Sequence, residues 1–306
     1  MKFSVLLCVY NSDPDAVVYT LDSIVSQDIG GFEVIICDDG SKDPRRQFYI
    51  DYFAERGFKD YKLSLLEKNG GTVRNIIAGL SVAEGKYIKT IGPGDALADS
   101  KVLRTVYETM EKDRSVVSYG PMRVFVFDEA GSRVFRDEIK VPGMGGIYAQ
   151  TEKTGLAKRC MVSYGDGISG AQVFFEADYC RRLMEEVSRT VVYMEDIGIY
   201  IPMLEGERFS YIQSPVVLYE GGSGISTSGN SRFAGLLMKD KENFMEYISA
   251  KYPDDPSVKL GCRMLAIEQS SGSRPEKLMR KALADPRWLL FRAKVTAKTS
   301  LGSLKG

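Results

Sequence analysis

The first hundred residues alternate between unbroken apolar runs of strand length and apolar stripes of helical period. Residues 3–9 (FSVLLCV) are continuously apolar, as expected of a strand buried on both faces. Asp13-Pro14 then opens a helix, since an Asp side chain accepts from the first free N–H groups and Pro suits the first helical position. Val17, Leu21, Ile24 and Val25 form its apolar stripe, and Gly30-Gly31 ends it. Residues 32–37 repeat the buried-strand pattern. A charged stretch, 44–56, has helical character and leads to a third strand near 61–66. Residues 72–84 read as a helix closed by Gly85 at its C-cap, and 87–91 as a fourth strand.

This alternation predicts an α/β fold with a doubly wound, mostly parallel, Rossmann-like sheet. In such sheets ligands bind beyond the carboxyl ends of the strands. After a helix at 101–113 the pattern changes. Residues 122–127 and 133–139 flank a polar Gly-containing turn and predict a small antiparallel hairpin. The stretch 141–169 is rich in Gly and polar residues and reads as loop, its Gly143-Met144-Gly145-Gly146 a flexible connection. From residue 231 onwards the chain reads as several helices.

At 306 residues the chain has room for one large α/β domain and a helical extension. Lysine plus arginine total 41 and balance 41 aspartates and glutamates, so global charge gives no reason to expect nucleic acid as a partner. Histidine is absent, which excludes Ser-His-Asp and Cys-His catalysis and every imidazole zinc site. Proton transfer near neutral pH therefore falls to a carboxylate, Cys, Tyr or Lys. The five cysteines are scattered, with no C-x-x-C spacing, which fits a reducing cytoplasm better than a disulfide framework. No apolar run reaches the ~20 residues needed to span a bilayer. The N-terminus reads as a first strand and not as a signal peptide.

Three segments place carboxylates just after strands. In EVIICDDGSKD (33–43), Asp38 and Asp39 end a buried strand at a Gly-Ser turn. Unpaired buried carboxylates are costly, so each needs donors, from the turn or from a bound base or ribose. In YIKTIGPGDAL (87–97), a Gly-Pro-Gly turn lets backbone approach an anion closely, and Asp95 follows. Asp95 there either caps a tight loop or meets a divalent cation at a diphosphate. In VVYMEDIGIYIPML (191–204), Glu195-Asp196 lies between an apolar strand-like run and a helix. Asp196 either caps that helix or, held in a partly dry cleft, serves as a general base.

Taken together over residues 3–228, these segments resemble the GT-A glycosyltransferases of the inverting family 2. SVLLCVYNSD (4–13) is similar to the family's first strand with its Tyr-Asn, and ICDDGS (36–41) to its nucleotide-contacting motif. Arg74-Asn75 with AEGKYI (83–88), GPGD (92–95), SGAQVFF (169–175) and MED (194–196) follow in family order. The resemblance implies a donor site of Cys8, Tyr10, Asn11, Asp38, Asp39, Arg74 and Asp95, with Asp39 at the nucleobase. It implies an acceptor side at Gly170, Ala171 and Gln172, and a divalent metal (Mn2+ or Mg2+) at Asp95. Asp196 becomes the base and Glu195 its neighbour. The implied reaction is a single in-line displacement, with inversion, from a nucleotide-sugar donor, UDP-sugar favoured, to a glycan or lipid-linked acceptor. The metal motif departs from the family's several aspartates, because Gly92 and Gly94 leave Asp95 alone. A catalytically weak or inactive nucleotide-sugar-binding protein of the same fold is the alternative. A nicotinamide dehydrogenase would need G-x-G-x-x-G after the first strand, where Tyr10-Asn11-Ser12 stands.

The expected organisation is a catalytic domain at 1–228, its nucleotide-sugar half about 1–100 and its acceptor half about 101–228, followed by an extension at 229–306. The Gly-rich stretch 220–232, with Gly224-Ile225-Ser226 similar to a family Gly-x-Ser core, is either a lid over the donor or a linker. Residues 274–306 hold nine Lys or Arg against Glu276 and Asp285, around Trp288-Leu289-Leu290-Phe291. That pattern fits either an interfacial helix on an anionic membrane surface or a packing helix with a basic outer face. The expected location is cytoplasmic, peripheral on the inner face of the cell membrane.

Overall fold

The computed structural model describes residues 1–140, 144–222 and 231–303. Strand β1 (Phe3–Val9) is buried almost throughout, as its apolar run demands. Helix α1 (Pro14–Val25) is capped by Asp13, whose side chain accepts from the amides of Asp15 and Ala16. Strand β2 (Phe32–Asp38), helix α2 (Arg46–Glu55), strand β3 (Tyr61–Leu65), helix α3 (Thr72–Leu80) and strand β4 (Tyr87–Ile91) complete the alternation. Strand β5 (Ala96–Leu97), helix α4 (Val102–Asp113) and strand β6 (Val117–Tyr119) follow. The hairpin then appears as β7 (Met122–Phe127) against β8 (Arg133–Lys140), antiparallel as expected. Its turn is held by Asp128, whose side chain accepts from the amides of Ala130 and Ser132.

Two expectations differ in the structure. Helix α3 stops at Leu80 and does not run to Glu84. The amides of Glu84 and Gly85 donate instead to Glu33 and to the Ser4 hydroxyl. Gly85 is therefore no C-cap. A Cβ there would lie 2.2 Å from the Ser4 nitrogen, so only glycine allows this approach to β1. Residues 144–169 are likewise not plain loop. They form short helical turns, among them α5 (Thr154–Lys158) and a π-turn at Arg159–Ser163. Ile147, Tyr148, Ala157, Cys160, Met161 and Val162 in these turns are buried. Scattered apolar residues in a Gly-rich stretch carry no clear period, and tertiary packing decides their conformation. Gly143, and Gly224-Ile225-Ser226 of the expected lid, lie outside the described residues.

Strand β9 (Val173–Glu176), helices α6 (Ala177–Val187) and α7 (Tyr200–Glu205), and strands β10 (Phe209–Tyr211) and β11 (Val217–Glu220) complete the sheets. The large sheet has seven strands in the order β10-β6-β9-β4-β1-β2-β3. Every neighbouring pair is parallel except those made by β9, which runs antiparallel to both β4 and β6. A second sheet, β5-β11-β7-β8, has four strands. Alternate residues of β1 serve two cores. Val5 and Leu7 pack with Val17, Leu21 and Ile24 of α1, while Leu6 packs with Val73 and Ile76 of α3. The sheet is thus covered on both faces, and a Leu6→Ala cavity would cost roughly 2–5 kcal/mol.

The chain ends in helices α8 (Ser231–Lys251), α9 (Pro256–Gln269), α10 (Arg274–Ala284) and α11 (Arg287–Ser303). Phe244, Met245, Ile248 and Val258 belong to the same core as Leu6, so these helices share the interior of the α/β unit. Asp285 anchors the last two. It accepts from Arg159 and Tyr164, and these bonds hold its carboxyl down at about 2 despite burial. Trp288 is only 5% exposed and Phe291 packs at a tilt against Tyr164, so the aromatic centre of the C-terminal segment faces protein. Among the described residues, no helix is long and apolar enough to cross a membrane.

Candidate active site

Strands β1, β2 and β4 present their carboxyl ends along one edge, and the residues singled out above converge there. Asp38 is buried and accepts from the amide of Ser41 at 2.7 Å. Asp39 turns the other way. Its Oδ1 accepts from Gly70 at 2.7 Å and its Oδ2 from Gly71 at 2.9 Å, which ties β2 to the start of α3. Burial raises the Asp39 carboxyl, and the two amides together with Arg74 oppose it. Each oxygen keeps a lone pair for a further donor. The guanidinium stem of Arg74 lies over Gly70, where a Cβ would be 2.3 Å from Arg74 Cδ. Asn75 is buried and donates to the Cys37 carbonyl at 2.8 Å, leaving its own Oδ1 without a partner.

Asn11 and Tyr10 divide between scaffold and surface. Asn11 adopts φ of 48°, donates its amide to Ser41 Oγ and accepts from the Lys42 amide, so it ties the β1 turn to the β2 turn. Tyr10 is 51% exposed at the rim, and Cys8 beside it is half-buried. A pocket of about 220 Å³ opens next to these turns, lined by Asn11, Ser12, Asp38, Ser41, Arg45 and Tyr49 among others.

Asp95 ends the β4 turn with about nine-tenths of its surface covered, and its Oδ1 accepts from the Glu220 amide at 2.9 Å. Burial raises its carboxyl to about 7, against the opposing influence of that amide and of Lys89. Glu220, from β11, brings a second carboxylate into the place that a side chain on Gly94 would fill. A Cβ on Gly94 would lie 1.9 Å from Glu220 Oε2, and Gly94 has φ of 92°. Glycine is therefore required there twice over. Among the described residues no cluster of three or more His, Cys, Asp or Glu forms a metal cage, and Asp95 with Glu220 is a pair.

Lys89 is fully buried on β4, in register with Val5 and Phe174. Its Nζ donates to the carbonyls of Gly170, Ala171 and Val173 at 3.4, 2.7 and 3.3 Å. Burial lowers its ammonium to about 7, while Asp95, Cys8 and Glu195 favour the charged form. One buried cation thus stands between the Asp95 turn and the Glu195-Asp196 turn.

Glu195 and Asp196 open a short 3-10 turn, Glu195–Ile199, and are half-buried. Gly170 faces them, since a Cβ there would lie 2.7 Å from Glu195 Oε1. Burial raises both carboxyls. Asp196 gains amide donors from Gly170 and Ile197, which favour its charged form, whereas Glu195 also feels the charges of Asp196 and Asp240. The preceding backbone is no strand. The amides of Val192, Tyr193 and Met194 donate to one oxygen of Asp240, on α8, at 3.1, 2.7 and 3.1 Å.

Of the three residues expected at an acceptor, Gln172 points inward. It is 3% exposed and donates to the Gly120 carbonyl at 2.8 Å. Gly170 and Ala171 meet the site through their backbone. Lys89, Glu220 and Asp240 were not singled out from the sequence. A lysine inside an apolar strand was the one available signal, while Glu220 and Asp240 reach the site only through tertiary folding.

The profile of Glycosyl transferase family 2 matches residues 4–163, and the chain belongs to that family. GlyG of Streptococcus pneumoniae serotype 4, a glycosyltransferase, is 32% identical over 117 residues, 37% of this chain and 37% of its own. EpsE of Bacillus subtilis is 32% identical over 146 residues, 47% of this chain and 50% of its own. The matched regions thus span half or less of these curated relatives. S. aureus TarS 1-349 solved in complex with UDP superposes with a TM-score of 0.52 at 18% identity, over 93% of this chain and 70% of that one. The complex of TarS 1-349 with UDP-GlcNAc gives 0.55 at 15% identity, over 95% and 81%. This likeness establishes the GT-A fold.

Proposed function

We propose that the protein transfers a sugar from a nucleotide-diphosphate donor, a UDP-sugar in first place, to a glycan or lipid-linked acceptor with inversion. One observation carries it: the Glu195-Asp196 pair faces Gly170, whose carbonyl accepts from the buried Lys89 of β4, the strand that leads into the Asp95 turn. In this scheme Asp39, Arg74, Cys8 and Tyr10 receive the nucleoside, and Asp38 and Asn11 hold the two turns beneath it. Asp196 takes the proton of the acceptor hydroxyl as its oxygen attacks the anomeric carbon, and the nucleoside diphosphate leaves from the opposite face. UDP is favoured because the TarS structures of like fold contain UDP and UDP-GlcNAc.

Enzymes of this fold generally use a divalent metal. Asp95 and Glu220 fit that need, because magnesium-type ions take one or two carboxylates and complete their shell with phosphate and water. The metal, when bound, offsets charge on the departing diphosphate. Residues 1–228 would form the catalytic domain and 229–306 the extension built on it. A cytoplasmic, membrane-peripheral location fits the outer face of the extension. Met279, Leu283, Leu289 and Leu290 are exposed among lysines and arginines, a composition suited to anionic lipid. Failure to sediment with phosphatidylserine vesicles at low salt would remove that part.

The test is a thermal-shift screen against UDP-, GDP-, CMP- and dTDP-sugars, followed by donor turnover with Mn2+ or Mg2+. A cognate donor raises the midpoint by mass action. Binding without turnover would favour the second reading, a nucleotide-sugar-binding protein, for which the loss of aspartates at Gly92 and Gly94 is the motivating observation.

A further inference from the structure

The three amides that precede the Glu195-Asp196 turn converge on one oxygen of one carboxylate. Asp240 is 5% exposed and lies midway along α8, beyond the stretch that matches the family profile. Its Oδ2 accepts from Val192, Tyr193 and Met194. Successive amides seldom point at one atom without a fixed acceptor, because regular structure sends them in divergent directions. The local backbone is therefore shaped around Asp240. The same helix reinforces the contact: Asn243 reaches the Thr190 carbonyl at 3.4 Å, Tyr247 donates to Glu186 at 3.0 Å, and Phe244 packs edge-on against Tyr200. The opposite side of the segment is fixed by α3, where the Val73 amide donates to the Val192 carbonyl at 3.1 Å.

We propose that Asp240 is a positioning residue for the catalytic pair, so that the C-terminal extension is part of the active site and sets where Glu195 and Asp196 stand. This rests on the glycosyl-transfer reading above. The carboxylate acts in two ways. Its oxygen fixes residues 192–194, from which the Glu195 and Asp196 side chains project into the cleft. Its negative charge also stands within the field of Glu195. The charged groups facing Glu195 are Asp196 on its own turn, Lys89 from β4 and Asp240 from α8, and Tyr200 lies beside Asp196. Lys89 favours the ionised Glu195, and Asp240 and Asp196 favour the protonated one.

Two variants separate the roles. Asp240→Asn keeps an oxygen for the amides and removes the charge, whereas Asp240→Ala removes both. In the full-length protein, hydrogen exchange at Val192–Met194 should stay slow in Asp240→Asn and accelerate in Asp240→Ala. Donor turnover should fall in Asp240→Ala by roughly a hundredfold in kcat, the scale of a misplaced catalytic group, with donor KM little changed. Asp240→Asn, which keeps an acceptor for the three amides, should restore most of the kcat lost in Asp240→Ala. Unchanged exchange and kcat in Asp240→Ala, or a kcat in Asp240→Asn as low as in Asp240→Ala, would overturn the proposal. Should the Ala variant fail to fold, Asp240→Glu decides: it displaces the acceptor oxygen by one methylene, so kcat should fall and exchange at Val192–Met194 should change, and parent values for both would overturn the proposal. Asp196→Asn serves as the control on the underlying reading. If it keeps full turnover, the assignment of the pair is wrong whatever Asp240 does.

Discussion

Lys89 Nζ donates to the Ala171 carbonyl at 2.7 Å, and this bond joins strand β4 to the turn that leads into β9. Among the described residues the ammonium has no carboxylate within ion-pair range. It is solvated by carbonyl oxygens while Asp95 and Glu195 act on it from a distance. Such an arrangement stabilises the charge only partly, and this has a consequence that can be measured.

The folded-state pKa of Lys89 lies below its ordinary value, at about 7 against 10.5. Below pH 7 the amine is protonated in both states and pH has no effect through it. Between about 7 and 10.5 the folded protein has released a proton that the unfolded chain retains, so stability rises with pH. The slope is at most about 1.4 kcal/mol per pH unit. Lys89→Met removes this contribution and also withdraws the cation that opposes protonation of Asp95 and Glu195. Melting midpoints measured from pH 7 to 9 should therefore climb relative to the variant by a few degrees. Parallel curves for the two proteins would show that Lys89 is not depressed.

Asp39→Ala should weaken UDP binding by about 1–3 kcal/mol, because donors of the base and of Gly70-Gly71 lose their acceptor. The midpoint of the free protein should also fall, since the start of α3 loses its tie to β2. Titration calorimetry showing unaltered UDP affinity in a folded variant would take Asp39 out of the nucleoside pocket.

Much of the first hundred residues was legible in the sequence. The short, mostly apolar runs of β1 and β2 have strand length, the Asp13-Pro14 cap fixes where α1 begins, and Asp38 and Asp39 could be placed at the end of a strand from those alone. The following hundred residues were less so. Strand β9 has four residues, too short for period to declare it, and it runs against its neighbours. The end of α3 depended on side chains of Glu33 and Ser4 distant in the chain. Glu220 and Asp240 have no local signature, because their roles arise from contacts 125 and 46–48 residues away in sequence.

Glu220 gives the sparse metal motif a testable complement. Gly94→Ala should displace its carboxylate, and Glu220→Gln should leave its shape while removing the charge. Both should lower Mn2+ affinity in the presence of UDP by on the order of tenfold, read by the paramagnetic signal of free Mn2+, since a carboxylate is a far better ligand for a hard cation than an amide. Equal Mn2+ affinity in Glu220→Gln and the parent would leave Asp95 as the sole protein ligand.

The central claim is that Asp196 is the base. Asp196→Asn is nearly isosteric and can still accept from the amides of Gly170 and Ile197, so its melting midpoint and UDP affinity should match the parent. Its turnover of the cognate donor to an acceptor should fall at least about a hundredfold, the usual scale for loss of a general base. The measurement is kcat for glycosyl transfer by the folded variant, with the anomeric configuration of the parent's product determined alongside. A hundredfold fall with an inverted product is the result expected here. Near-normal transfer by Asp196→Asn, or a retained anomeric configuration, would contradict it.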